Sequence, residues 1–193
     1  MNEFTLYYKM GLNHVLDFTA YDHILFLIVL ALVFNFNQWK KALWLVTLFT
    51  IGHSITLALS AYKVISVNGD LVEFLIPVTI LITGLVNILT SKNKNNSKGN
   101  LNLMFAVFFG FIHGLGFSSY FKMMIGNEQY KALPLLEFAI GIEVAQIVIV
   151  VAILLINTIV INFFKVTKRD WVLVWSSIVM GFAIKMILER VFW

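Results

Sequence analysis

Residues 133–164 read LPLLEFAIGIEVAQIVIVVAILLINTIVINFF, more than 30 residues in which Glu137 and Glu143 are the only ionisable side chains. About 20 apolar residues suffice to cross a bilayer, so this stretch spans lipid and must tilt strongly or project from it. The pattern repeats on both sides. Further apolar stretches cover about Phe18–Phe36, Ala42–Ser60, Phe74–Leu89, Leu101–Tyr120 and Trp171–Phe192. Runs this long and continuously apolar exclude barrel strands, and lipid offers backbone groups no partner outside a helix or closed barrel. The expected fold is all-α: a polytopic bundle of about six transmembrane helices, forming one domain over residues 1–193. A polar linker, SKNKNNSKGN (91–100), interrupts it.

Composition agrees. Of 193 residues, 60% are hydrophobic and 12% charged, and mean hydropathy is +0.89. Soluble domains carry about 25% charged residues, so lipid is the solvent for most of these side chains. There is no cysteine, which excludes disulfides, thiolate metal sites and cysteine nucleophiles. The start, MNEFTLYYKMGLNH, lacks the basic-then-apolar layout of a cleaved signal, so the first span is expected to stay in the protein. A pI near 9.3 reflects basic residues in short loops, which speaks for membrane orientation and against nucleic acid as a partner.

Lys40, Lys41, Lys92, Lys94, Lys98, Lys165, Lys168 and Arg169 follow the odd-numbered stretches. The opposite side holds Lys9, Lys63, Lys122, Lys131 and Arg190, with Lys185 inside the last stretch. The positive-inside rule makes the odd-numbered loops, including 91–100, cytoplasmic and both termini extracytoplasmic. Asp170 alone of the ten acidic residues then lies inward, leaving an outer face that attracts cations. Phe49-Thr50-Ile51-Gly52 echoes Phe138-Ala139-Ile140-Gly141, and the segment order is compatible with a 3+3 inverted repeat.

All four histidines, His14, His23, His53 and His113, fall on that outer side. Counting helical rise puts His23 ~8 Å deep, His53 and His113 ~10 Å, and Glu143 ~14 Å, one layer ~6 Å thick. A carboxylate at such depth costs ~2.5 kcal/mol or more and needs a partner. Imidazoles and carboxylates from separate helices suit a divalent transition metal. Asp22 beside His23, and Asp17 three residues after His14, supply acceptors that fix which ring nitrogen faces the ion. Thr47, Thr50 and Ser54 stripe one helix alongside His53, Gln146 lies one turn from Glu143, and Gly110-x-x-x-Gly114 allows a close helix approach around His113. Lys185 either snorkels outward or pairs with Glu143 or Asp22. A purely structural role for the polar layer, as hydrogen-bonded glue between helices, is the competing reading.

GLNHVLDFTAYDHILF (11–26), FTIGHSITLAL (49–59), FFGFIHGLGF (108–117) and EFAIGIEVAQ (137–146) together resemble the HupE/UreJ family of small bacterial membrane proteins. The resemblance implies a cytoplasmic-membrane protein associated with nickel or cobalt uptake in systems supplying hydrogenase or urease. It carries His14, Asp22, His23, His53, His113 and Glu143 over as metal residues; the reading of the residues themselves adds Asp17, Ser54, Gln146 and Lys185 in support. Two departures mark a shorter, divergent branch. Seven residues separate His14 from Asp22 where the family's best-known motif has five, and Leu115-Gly116-Phe117 stands where hydrogenase-linked members carry a second His and a Glu.

The favoured function is a metal-ion permease for nickel or cobalt, with zinc, iron and manganese as alternatives. His23, His53, His113 and Glu143 would be primary ligands, Asp22 a ligand or orienter, and His14 a residue at the mouth. No nucleotide-binding motif is present, so coupling draws on an ion gradient or a partner. An intramembrane metalloenzyme acting on lipid and a metal-free accessory subunit are the alternatives. The sequence does not choose among metals, oligomeric states or metalloenzyme-maturation partners.

Overall fold

The computed structural model describes residues 3–91, 99–126 and 130–193, with side chains described outside 3 and 99–103. Its elements are all helical: α1 (Glu3–Leu16), α2 (Asp22–Ala31), α3 (Trp39–Ala61), α4 (Gly69–Thr90), α5 (Gly99–Ile125), α6 (Ala132–Phe163) and α7 (Lys168–Glu189). A 3₁₀ turn at Phe36–Gln38 leads into α3. Most of the polar linker expected at 91–100 lies outside the described residues.

Five helices, α3 to α7, are long and apolar enough to cross a membrane. At ~1.5 Å per residue, the 32 residues of α6 extend ~48 Å, well beyond a hydrocarbon core of ~30 Å. The first expected span is different. In place of one helix over 18–36 stands α2, only 10 residues long, preceded by the separate α1. The break has a local cause. Asp17 accepts hydrogen bonds from the amide and hydroxyl of Thr19 at 2.8 and 2.6 Å, an alternative to helical pairing. The early end of α2 is met by other helices. Asn87 of α4 donates to the carbonyl of Val29 at 2.7 Å, and Asn157 of α6 reaches the carbonyls of Ala31, Leu32 and Phe34 at 3.4–3.5 Å. A backbone can leave the helix at membrane depth where protein satisfies it.

Glycines set the closest crossings. A Cβ on Gly11 of α1 would stand 2.1 Å from the carbonyl oxygen of Phe138, and one on Gly141 of α6 2.2 Å from that of Tyr8. Likewise a Cβ on Gly110 or Gly114 of α5 would stand 2.3 or 2.2 Å from the carbonyl oxygens of Phe49 and His53 of α3. The close approach expected around His113 is thus present. As 49 and 53 climb α3, 110 and 114 climb α5, so these two helices run the same way.

One end of the bundle is tied by Lys131, which donates to the carbonyl of Ala61 at 2.9 Å, and by Arg190, which donates to that of Glu73 at 3.2 Å. The Arg190 contact answers a defect in α4. Pro77 has no N–H to give the carbonyl four residues back, which is that of Glu73. At the other end, Trp171 donates to Asn157 at 2.8 Å. Two apolar cores fill the interior, one around Phe121, Phe138, Ile142 and Leu154, the other around Phe26, Phe49, Ile80 and Val179.

Candidate metal centre

Four helices deliver the four histidines to one place. His14 sits in the last turn of α1, His23 follows the first residue of α2, and His53 and His113 lie within α3 and α5. Ligand nitrogens of His14, His23 and His53 all lie within 4.8 Å of one another. The rings of His14 and His23 are 4.5 Å apart by centroids, and His113 stands 5.2 Å from His23. Phe117 lies 3.9 Å from His14, while Phe49 and Phe138, one from each apolar core, each lie 6.3 Å from His53. Imidazoles therefore meet in an aromatic-walled layer between the two cores.

Their hydrogen bonding is the informative part. Among the described residues, five buried ring nitrogens have no partner: Nε2 of His14, Nε2 of His23, both nitrogens of His53, and Nδ1 of His113. A buried polar atom without a partner costs about 1–3 kcal/mol, so five in one layer is an expensive arrangement for a purely structural core. Histidines acting only as glue between helices would be bonded to those helices.

Two neighbours decide which nitrogen is left bare. Asp22 Oδ1 lies 3.0 Å from Nδ1 of His23, so that nitrogen carries the proton and Nε2 presents its lone pair. The hydroxyl of Thr79 donates to the carbonyl of Ile76 at 2.7 Å. Its oxygen is then an acceptor for Nε2–H of His113 at 3.2 Å, leaving Nδ1 as the basic atom. Asp22 is itself fixed. Its Oδ1 accepts the His23 amide at 2.8 Å, and Oδ2 lies 3.6 Å from the Arg190 guanidinium.

The remaining expected residues fall out as follows. Asp22, expected as a ligand or orienter, lies against Nδ1 of His23. His14, expected at the mouth, belongs to the tight group of three. Asp17 does not serve His14: it faces Thr19, whose hydroxyl and amide hold its carboxyl below the usual value. Glu143 lies outside the imidazole group. It accepts hydrogen bonds from the hydroxyls of Thr47, at 2.6 Å, and of Thr50. Gln146 joins that second cluster, 2.9 Å from Thr50. Ser54 is half-buried and makes no side-chain hydrogen bond among the described residues. Lys185 is exposed and pairs with Glu189 at 3.6 Å, one turn on, and so reaches neither Glu143 nor Asp22.

The sequence reading missed Arg190 and Thr79. Proline offered the signal for the first: Pro77 frees a carbonyl that a nearby donor must answer. For Thr79 there was none, since a threonine inside an apolar helix usually bonds its own preceding turn.

No curated protein and no solved structure gives a significant match to the chain. The family model described as HupE / UreJ protein matches residues 1–190, nearly the whole chain. With its helices of membrane-spanning length, the chain belongs to the HupE/UreJ family of transporter-type membrane proteins.

Proposed function

We propose that this protein is a permease for a divalent transition-metal ion, with nickel or cobalt the first candidates, working in the cytoplasmic membrane of a bacterium. The observation that carries the reading is the group of buried imidazole nitrogens without partners, converging from α1, α2, α3 and α5. Neutral imidazole is a ligand for nickel, zinc, copper and iron, whereas magnesium and calcium prefer oxygen. His14, His23 and His53 are the primary ligands, His113 completes the set by a small ring movement, and Asp22 and Thr79 hold the ring nitrogens ready. Acidic residues around the histidine end gather the cation, and the aromatic wall strips part of its water. Rocking of helices about the site then releases it at the other face.

Purified protein in liposomes, loaded with a metal-sensitive dye, tests this directly. Wild type is expected to admit nickel or cobalt and His53→Ala is not. Equal influx in both removes the transport claim. A metal that survives dialysis at one equivalent per chain would favour the enzyme reading instead.

A further inference from the structure

The second polar cluster has its own chemistry. Thr47 and Thr50 of α3 face Glu143 and Gln146 of α6 across a helix–helix seam, and every contact among them is between oxygens. Thr50 precedes His53 by three residues, so the cluster lies about one turn along α3 from the imidazoles. Glu143 has no Lys, Arg or His within ion-pair distance among the described residues. Ionisable side chains inside a membrane bundle are rare and commonly mark substrate or ion paths.

Oxygens outnumber hydroxyl protons. Three side-chain acceptors, the two Glu143 oxygens and Gln146 Oε1, face two hydroxyl protons. Gln146 is fully buried, and its amide nitrogen has no partner. The hydroxyls also have somewhere else to point. Thr47 Oγ1 lies 3.1 Å from the Leu43 carbonyl and Thr50 Oγ1 3.2 Å from that of Val46. With both protons swung to those carbonyls, the hydroxyl oxygens turn lone pairs toward the carboxylate, and the seam presents oxygens alone.

We propose that Thr47, Thr50, Glu143 and Gln146 form a second cation station, separate from the imidazoles, that takes a monovalent ion of the sodium class. One carboxylate among neutral oxygens balances one positive charge and leaves a divalent ion half-compensated. Hard cations take oxygen ligands, whereas the imidazole layer suits borderline transition metals. The station's role as the coupling site rests on the transport reading above; its binding of sodium does not. Because α3 carries both Thr50 and His53, an ion that draws α3 toward α6 acts on the metal layer through one rigid helix.

The test is thermal unfolding of purified protein in detergent with a chelator present, comparing sodium, potassium and choline chloride at equal ionic strength. Sodium is expected to raise Tm by a few degrees over choline, as a ligand of the folded state does well above its Kd. Potassium is expected to raise it less. Glu143→Gln and Thr50→Val, each confirmed folded by its Tm in choline, should lose the sodium response, and His53→Ala should keep it. No sodium response in wild type, as a protonated carboxyl balancing the cluster would give, overturns the proposal. So does a Glu143→Gln variant that keeps the response, or a His53→Ala variant that loses it. Sodium binding without any metal influx would sink the transport reading and leave the station standing.

Discussion

The Arg190 guanidinium lies 3.6 Å from the Asp22 carboxylate and donates its other arm to the carbonyl of Glu73. The last turn of the chain is thereby locked to the start of α4 and to the residue that orients His23. Asp22 is pinned from both sides, by Arg190 and by the imidazole it serves.

Asp22→Asn keeps the shape but weakens both attachments and loosens the choice of ring nitrogen. Losing such an outer-shell partner typically costs 10–100-fold in metal affinity, and a fall of about that size is expected. Calorimetric nickel titration of purified protein measures it, and an unchanged Kd would deny Asp22 its orienting role. Arg190→Lys, which cannot hold two acceptors in one plane, should fall between the two.

Removing ligands should hurt more than removing their supports. Alanine at His14, His23 or His53 is expected to weaken nickel or cobalt binding by at least ~100-fold, above the range for outer-shell partners. His113→Ala is expected to fall within that range, because Thr79 already holds one of its nitrogens. Bound cobalt gives a ligand-field spectrum that shifts as nitrogens are lost. A full-strength spectrum from His14→Ala would remove His14 from the inner set.

Most of the architecture could be read from the chain because long apolar runs leave few alternatives. Helices α3 to α7 begin and end within five residues of their sequence boundaries. The first run could not be read that way. Its apolar pattern continues smoothly from Phe18 to Phe36, but whether the helix continues depends on Asn87 and Asn157, more than 50 residues away. The histidines were legible through shared depth, which counts turns along a helix. Depth says nothing about direction around the axis, which is why Glu143 was expected among the imidazoles and instead faces Thr47 and Thr50. His14 reads as a residue at the mouth because it precedes the first apolar run, which begins near Phe18.

Gly141→Ala tests the seat of α1. Its new methyl would stand 2.2 Å from the Tyr8 carbonyl oxygen, which cannot yield without moving the helix. A destabilisation of about 1–3 kcal/mol is expected, the range for overpacking, with nickel affinity falling as His14 withdraws. Gly181→Ala is the control, because a methyl there meets nothing within 4 Å. Chemical unfolding in mixed micelles compares the two, and equal stability of both variants would refute the crossing.

Asn157→Leu removes the group that answers the end of α2 and the indole of Trp171. Carbonyls left buried and unsatisfied cost about 1–3 kcal/mol, so Tm should fall. Metal affinity should hold within a few fold, because Asn157 sits at the far end of the bundle from the histidines. A large loss of affinity with unchanged Tm would contradict this division of labour.

The Gly11–Gly141 crossing also sets an order of events during synthesis. Residues from the first dozen of the chain find their seat only on a helix made in the last third. Until α6 has left the ribosome and entered the lipid, α1 lacks the helix whose backbone it approaches at Gly11 and Gly141. A half-made chain therefore lacks the surface that seats the helix carrying His14. On the permease reading, metal binding is then expected of the finished protein and not of the nascent one.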